Sequence, residues 1–576
     1  MSENGQYRWR VFAIATVLAA CLALVVVKLV YLQVIQHDYY LALAKEEHWR
    51  QEEIPAERGT ILDANGHPLA TSVLYETLLA DTSQISDPLK TAESLAPVIG
   101  EPVAQLRDKL SQPRSAATVL KEGLPYEIGQ NVRKLALPGL YTLPVPRRVY
   151  PEGKLAAQTL GVVGADNRGL SGIELALDDT LGGKPGSILA ERDTGGEAIA
   201  LTIREYVLPE RGRDVMLTID RFVQEVAERE LERGVESAKA KGGSVVVMNP
   251  RTGALLAVAN RPSFDPADPN LFSEDKVPLY RNAAACDMYE PGSIFKIITM
   301  AAGLDSGAVT VDHAYLNEGS FSYAGGVVKN AISRPQGMET MTEILVRSSN
   351  IGAAYVAVRT GADSFYQYVR EFGFGETTGV EIPGESPGLV KTPGTDSWAE
   401  FDLATNAFGQ GISVTPLQMA AAAAAVANGG TLMKPQLIKA ISGPNGFEEY
   451  SPVVMRQVIR PTTAKALTEM LVAAVDAVDG GQPRQCHVPG YRLAGKTGTA
   501  EIPDTTGYRQ GATIASFVGF GPADDPRFVI LVKLIEPQTS PWAEAVASPV
   551  FREIAEQLLA YYGVPPTEAP SASVGQ

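Results

Sequence analysis

Residues 11–27, VFAIATVLAACLALVVV, carry no charged side chain, and after Lys28 the segment continues as LVYLQVI. A run of this length is what a bilayer-crossing helix needs, about 20 largely apolar residues, and a lysine near its end reaches the interface with its long stem. Whatever the rest of the chain folds into must therefore hang from one membrane helix. Arg8 and Arg10 precede the run. Positive charge holds a short head in the cytoplasm, so residues 1–10 are expected inside, 11–35 as the anchor, and the remainder exported. Leu18-Ala19-Ala20-Cys21 looks like a lipoprotein cleavage box, but the residues after Cys21 stay apolar where a processed lipoprotein turns polar. The expectation is an uncleaved anchor.

At 576 residues the chain is too long for a single core and implies several domains. Fifty basic against 66 acidic residues leave a net charge of −16, which argues against a nucleic-acid binder. Cys286 and Cys486 would lie outside the membrane, where disulfides form, yet two buried free thiols are the expectation for them.

The exported part divides at about residue 210. AERGTILDANGHPLATS (56–72) reads as strand, Asn-Gly turn, strand. Residues 85–135 mix short helical patterns with loops, YTLPVPRRVYPEG (141–153) is an extended proline-rich crossing, and LAAQTLGVVG a short helix. Residues 36–210 show no catalytic constellation and are expected to form a non-catalytic pedestal. From 211 the texture changes. TIDRFVQEVAERELERG is a helix ending at its glycine, and GGSVVVMNPRTGALLAVAN (242–260) is a β-hairpin. A long helical middle includes TPLQMAAAAAAVANGG. YRLAGKTGTAEI, TIASFVGFG and RFVILVKLIEP are late strands, and PVFREIAEQLLAYYG the last helix. Two strands early and three late, with terminal helices against the sheet, make residues 211–562 an α+β domain. The tail 563–576 is expected to be disordered.

YEPGSIFKIITMAAGL (289–304) places Ser293 and Lys296 at the head of an apolar helix. A serine there caps a helix well. Positions i and i+3 also share a helix face, so a desolvated Lys296 can serve as base for a nucleophilic Ser293. None of the five histidines lies in a setting that suggests a triad, and no Gly-x-Ser-x-Gly surrounds Ser293. A second Ser-x-x-Lys, SEDK at 273–276, sits among charges with no apolar helix behind it and is expected on the surface. Ser348-Ser349-Asn350 opens another apolar helical stretch, and its hydroxyl and carboxamide suit proton relay and amide binding, or helix capping. Lys496-Thr497-Gly498-Thr499 falls on a strand. There lysine adds charge, threonines add hydroxyls, and glycine allows a substrate backbone to lie close; an edge strand guarded by its lysine is the alternative.

The order Ser-x-x-Lys, Ser-x-Asn, Lys-Thr-Gly resembles that of the serine enzymes that recognise penicillin. RGTILDANGHPLA, RRVYPEG, GLSGIE, MNPRTGALLAVANRPSFDPADPN, YEPGSIFK, SSNIG, FGQGISVTPLQM and AGKTGTA follow one another like the landmarks of class B penicillin-binding proteins, from about residue 56 to 535. That resemblance implies a five-stranded antiparallel sheet flanked by helices, plus an all-helical part, on an elongated α+β pedestal. It implies Ser293 as acylated nucleophile and Lys296 as general base. Ser348, aided by Lys496, would relay a proton to the leaving group, and Asn350 would bind the donor amide. Thr497 and Thr499 would hold the terminal carboxylate, and the Ser293 and Thr499 N–H groups would form the oxyanion hole. The implied reaction is D,D-transpeptidation of peptidoglycan stem peptides in two acyl transfers, with no metal or organic cofactor and with β-lactams as donor mimics.

The resemblance also implies a lipid-II-polymerising membrane partner of the shape, elongation, division and sporulation type, with residues 11–35 and 56–72 the expected interface. A β-lactamase of class A carries Glu-x-x-Leu-Asn between the second and third motifs; GESPGLV (384–390) has a glutamate without that pattern. A D,D-carboxypeptidase would share all three motifs. A membrane-anchored β-lactam sensor or scaffold would need a signalling part that ten head residues do not supply.

Overall fold

The computed structural model describes residues 3–37, 49–112, 118–191, 205–268, 270–331, 335–443, 446–479, 482–504 and 507–567. Helix α1, Glu3–Val30, opens the chain, and its last turn, Tyr31–Ile35, widens to π geometry. Its span Arg8–Ile35 has a mean hydropathy of 2.6 and is not buried inside the protein. A 28-residue apolar helix with no protein around it is long enough to cross a membrane.

Two compact units interleave along the sequence: Met1–Glu57, Val73–Arg147 and Lys184–Arg211 in one, Arg58–Ser72, Arg148–Gly183 and Gly212–Gln576 in the other. In the first, strand residues 75–80 pair with Thr118–Pro125. The helices Pro88–Ile99, Val103–Leu110 and Tyr126–Lys134 bury Leu95, Leu106 and Val132 against Leu78 and Leu120. Leu140–Val149 is the extended proline-rich segment expected there. A three-stranded antiparallel sheet joins Trp49–Ile54, Gly186–Glu191 and Glu205–Val207.

The second unit is built on one sheet. Strands β1 (Gly242–Met248), β2 (Leu255–Arg261), β3 (Ala494–Asp504), β4 (Gly507–Gly521) and β5 (Phe528–Ile535) pair antiparallel throughout, in the order β2-β1-β5-β4-β3. Successive strand side chains point to opposite faces. Val246, Met248, Val529 and Leu531 accordingly enter one core, and Val245, Val247, Ile530 and Val532 the other. Both faces of β1 and β5 are covered, which is why these strands read as apolar runs, broken only at Ser244 and Lys533, rather than as alternating ones. Helices α2 (Arg221–Ala238) and α3 (Ala543–Tyr561) close the second core.

Two helix boundaries differ from the sequence reading. Gly234 does not end α2, which runs four residues further, to Ala238. A Cβ on Gly234 would lie 2.5 Å from Val550 Cγ2, so the glycine serves close helix packing, not termination. The last helix starts at Ala543 and contains Pro549; burial of Val546, Ala547 and Phe551 against the sheet outweighs the proline. The expectation for the tail falls mostly on residues 568–576, outside the described residues; Val564 O and the Thr567 N–H bond to Tyr491 and Gly490.

Within the same unit, Arg58 is completely buried and bonds the Glu174 carboxylate at 2.5 Å and Asp178 at 2.6 Å, while Arg148 reaches Glu174 at 2.6 Å. The cluster ties the early segments 58–72 and 148–183 to each other. Removing one partner from such a buried set costs about 3–5 kcal/mol, because an uncompensated charge remains. Cys286 and Cys486 are buried free thiols, and burial pushes both above the usual thiol range, Cys486 to about 12.

Candidate active site

The serine turn is set by its two preceding residues. Pro291 restricts the backbone and Gly292 adopts φ 55°, a left-handed value that suits glycine. Residues Gly292–Phe295 form a 3₁₀ turn, and Lys296 begins the buried helix α4, Lys296–Asp305. A 3₁₀ turn has three residues per turn, so i and i+3 eclipse. This is why Lys296 comes back over Ser293, with Nζ 2.8 Å from Oγ. The turn is clamped on both sides. The Gly292 N–H donates to Gly409 O at 3.1 Å, and a Cβ on Gly292 would sit 2.8 Å from Thr499 O.

Lys296 is 1% exposed and also lies 2.7 Å from Ser348 O, 2.8 Å from Asn350 Oδ1 and 3.2 Å from Ser348 Oγ. Burial, then the nearby Lys496 charge, holds its amine well below the ordinary lysine range, with Glu339 partly opposing. A neutral amine has two hydrogens and one lone pair. Two N–H bonds to Ser348 O and Asn350 Oδ1 leave the lone pair for the Ser293 O–H.

Ser348 and Ser349 divide the two tasks that the sequence leaves open. Ser349 is the cap: its Oγ accepts the Gly352 N–H at 3.1 Å at the start of α5, Asn350–Thr360. Ser348 is held at φ 56°, a sparsely populated conformation for a residue with a Cβ, which turns its hydroxyl to both lysines. Asn350 is the first helical residue, and its Nδ2 donates to Lys329 O at 3.2 Å.

Lys-Thr-Gly-Thr lies on β3, an edge strand of the sheet. Lys496 Nζ is 3.0 Å from Ser348 Oγ and 3.3 Å from Thr497 Oγ1. Burial and the Arg484 charge lower its pKa to about 7. A Cβ on Gly498 would lie 2.6 Å from Ser516 Oγ and 2.9 Å from both Ile294 Cγ2 and Pro291 O, so the missing side chain lets the strand press on the serine turn. Thr499 Oγ1 accepts the Ala543 N–H at 3.2 Å, which leaves its proton to donate. SEDK, by contrast, ends in Lys276 paired with Asp268, away from these motifs.

Three supporting residues lie outside the Ser-x-x-Lys, Ser-x-Asn and Lys-Thr-Gly motifs. Asn330 Oδ1 accepts the Asn350 and Ile351 N–H groups at 2.7 and 3.1 Å. Glu290 accepts the Gly411 N–H at 2.9 Å and the Tyr508 hydroxyl at 3.1 Å, and burial raises its pKa. Glu339 is fully buried beside Ser349. Their partners arrive from distant strands and loops; only the position of Glu290 in YEPGSIFK signals one of them.

The family description "Penicillin binding protein transpeptidase domain" matches residues 243–556, and "Penicillin-binding Protein dimerisation domain" matches 53–217. The chain is 34% identical to stage V sporulation protein D of Bacillus subtilis over 94% of this chain and 83% of that one. It is 30% identical to the probable peptidoglycan D,D-transpeptidase PenA of Neisseria meningitidis over 100% and 95%. The structure of penicillin binding protein 3 of Mycobacterium tuberculosis complexed with aztreonam aligns with a TM-score of 0.69 at 29% identity, covering 90% of this chain and 100% of that one. Fold and motifs together define a penicillin-recognising serine transpeptidase domain. Its combination with the dimerisation domain goes further: the chain belongs to the class B penicillin-binding proteins.

Proposed function

We propose that this chain is a peptidoglycan D,D-transpeptidase acting in cell-wall synthesis for division or elongation, and a target of β-lactams. The observation that carries this reading is the Lys296 amine 2.8 Å from the Ser293 hydroxyl, with its remaining hydrogens engaged. Neutral Lys296 takes the Ser293 proton as Oγ bonds to the penultimate D-Ala carbonyl carbon. The tetrahedral oxyanion is received by the Ser293 and Thr499 N–H groups. The C–N bond then breaks, and Ser348, between the two lysines, passes a proton to the departing D-Ala amine. In the second half, a stem-peptide amine attacks the ester, gives up its proton along the same route, and Ser293 is restored. Asn350 orients the donor amide, and Thr497 and Thr499 hold its carboxylate beside Lys496. Gly498 acts by packing β3 on the serine turn.

We further propose a single-pass protein of the cytoplasmic membrane. Residues 1–10 lie inside and 11–35 form the anchor. Residues 36–210 form the pedestal and 211–562 the catalytic domain, both outside. Residues 11–35 and 56–72 contact a lipid-II-polymerising membrane partner. Replacing the anchor by an unrelated apolar helix should weaken that complex in a pull-down; an undiminished complex removes the anchor from the interface.

The activity is tested with a donor peptide ending in D-Ala-D-Ala and a free D-amino acid as acceptor. Release of D-Ala with appearance of the exchanged peptide is expected. Release without exchange identifies a carboxypeptidase instead.

A further inference from the structure

Glu339 stands on the short strand Gly337–Thr340, directly opposite Tyr315 of the antiparallel strand Ala314–Asn317. Its side chain is fully buried, a costly place for a carboxylate without a purpose. Glu339 Oε2 accepts the Tyr315 hydroxyl at 2.5 Å and the Asn317 amide at 2.9 Å. Those same two groups stand 3.3 and 3.4 Å from Ser349 Oγ. Ser349 caps α5, and the carbonyl of its neighbour Ser348 takes a hydrogen bond from Lys296 at 2.7 Å. Glu339 Oε1 is buried and has no hydrogen-bond partner among the described residues. The chain leaves this strand through the Thr340–Glu343 capping box into helix Met341–Val346, which delivers Ser348. One carboxylate thus sits behind a site that buries two lysines.

Resting on the proposed roles of Ser293, Lys296 and Ser348, we propose that Glu339 is a positioning residue for the acyl-transfer reaction. Through Tyr315, Asn317 and Ser349 it fixes the Ser348 turn, and its charge is a buried counter-charge to Lys296. The carboxylate favours protonated Lys296 and Lys496 disfavours it, so the two set the pH at which the base becomes available. Other charged or titratable groups nearby include Tyr315 itself, Arg484, Cys486 and Glu544 around Lys496, and His313, which bonds Tyr355, the ring stacked on Tyr315.

The experiment measures the second-order rate of acylation by a fluorescent penicillin against pH, on the full chain in detergent, for wild type, Glu339→Gln and Glu339→Asp. Glu339→Gln keeps the shape and removes the charge. Its acid limb should move to lower pH by on the order of one unit, because Lys296 loses a group that stabilises its proton. Glu339→Asp should keep the wild-type limb at a lower rate. A Glu339→Gln profile that overlays wild type, or one lowered without any displacement of the limb, overturns the proposal; the second would leave Glu339 a structural strut. Should Glu339→Gln fail to fold, Ser349→Ala keeps the charge and cuts the link. It should acylate at least about tenfold more slowly with an unmoved limb, and a wild-type rate overturns the positioning. Wild-type protein without a Ser293-dependent adduct would instead count against the proposed function, so the two failures are distinguishable.

Discussion

Lys496 Nζ lies 3.0 Å from Ser348 Oγ across 148 residues of chain, and Lys296 approaches the same oxygen from the other side at 3.2 Å. Two buried lysines flanking one hydroxyl cannot both keep a proton cheaply. Lys296, held well below the ordinary lysine range by burial and by the Lys496 charge, is the neutral member, and Lys496, lowered to about 7, is the one that carries charge in acid.

The first consequence concerns pH. Acylation requires neutral Lys296, so its rate should fall as pH drops through the pKa of Lys296. The positive charge of Lys496 keeps that pKa down. Lys496→Met should therefore raise it and move the acid limb to higher pH, opposite in sign to Glu339→Gln. The pH dependence of the acylation rate checks this; a limb that stays in place would show that the two amines do not interact.

Ser348 offers a separation of stability from activity. At φ 56° its side chain costs about 1–2 kcal/mol that glycine avoids, offset in part by about 0.4–1 kcal/mol of unfolded-chain entropy. Ser348→Gly should keep or raise the melting temperature while acylation falls on the order of a hundredfold through loss of the relay hydroxyl. Calorimetry and adduct kinetics on the same preparation read both.

Gly498→Ala tests the packing of β3 on the serine turn. The added methyl meets Pro291 O at 2.9 Å, a backbone atom next to the clamped Gly292. A loss of about 1–3 kcal/mol is expected, together with slower acylation, since strand and turn must separate.

Gly234→Ala is the distant counterpart. Its methyl would lie 2.5 Å from Val550 Cγ2, giving a similar stability loss that Val550→Ala should largely restore. Below the melting transition, acylation should match wild type in both variants.

These contrasts also mark what the sequence could convey. The strands were legible because both faces of β1 and β5 are buried, leaving runs such as Val245–Met248 and Phe528–Val532 without polar interruption. The long apolar N-terminal helix was legible from its length and composition. Gly234 misled because a glycine that stops a helix and one that admits a neighbouring valine look alike until the partner, here more than 300 positions away, is placed. Within the site, the motif residues signalled themselves by spacing. By residue type Ser348 and Ser349 are alike; the spacing to Asn350 pointed to Ser348 as the relay, and the backbone shows that Ser349 caps α5. Asn330 and Glu339 had no local signal, because their meaning comes from strand pairing and from hydrogen bonds to residues about 20 positions away or more.

The central claim is that Ser293 is the nucleophile of an acyl-enzyme that water removes slowly. The most direct measurement incubates the full chain with a labelled penicillin and follows the intact mass over hours, with Ser293→Ala alongside. A single stoichiometric adduct that persists, and is absent from Ser293→Ala, is the predicted result. Rapid loss of the adduct with release of opened drug, or an adduct that survives in Ser293→Ala, would contradict it.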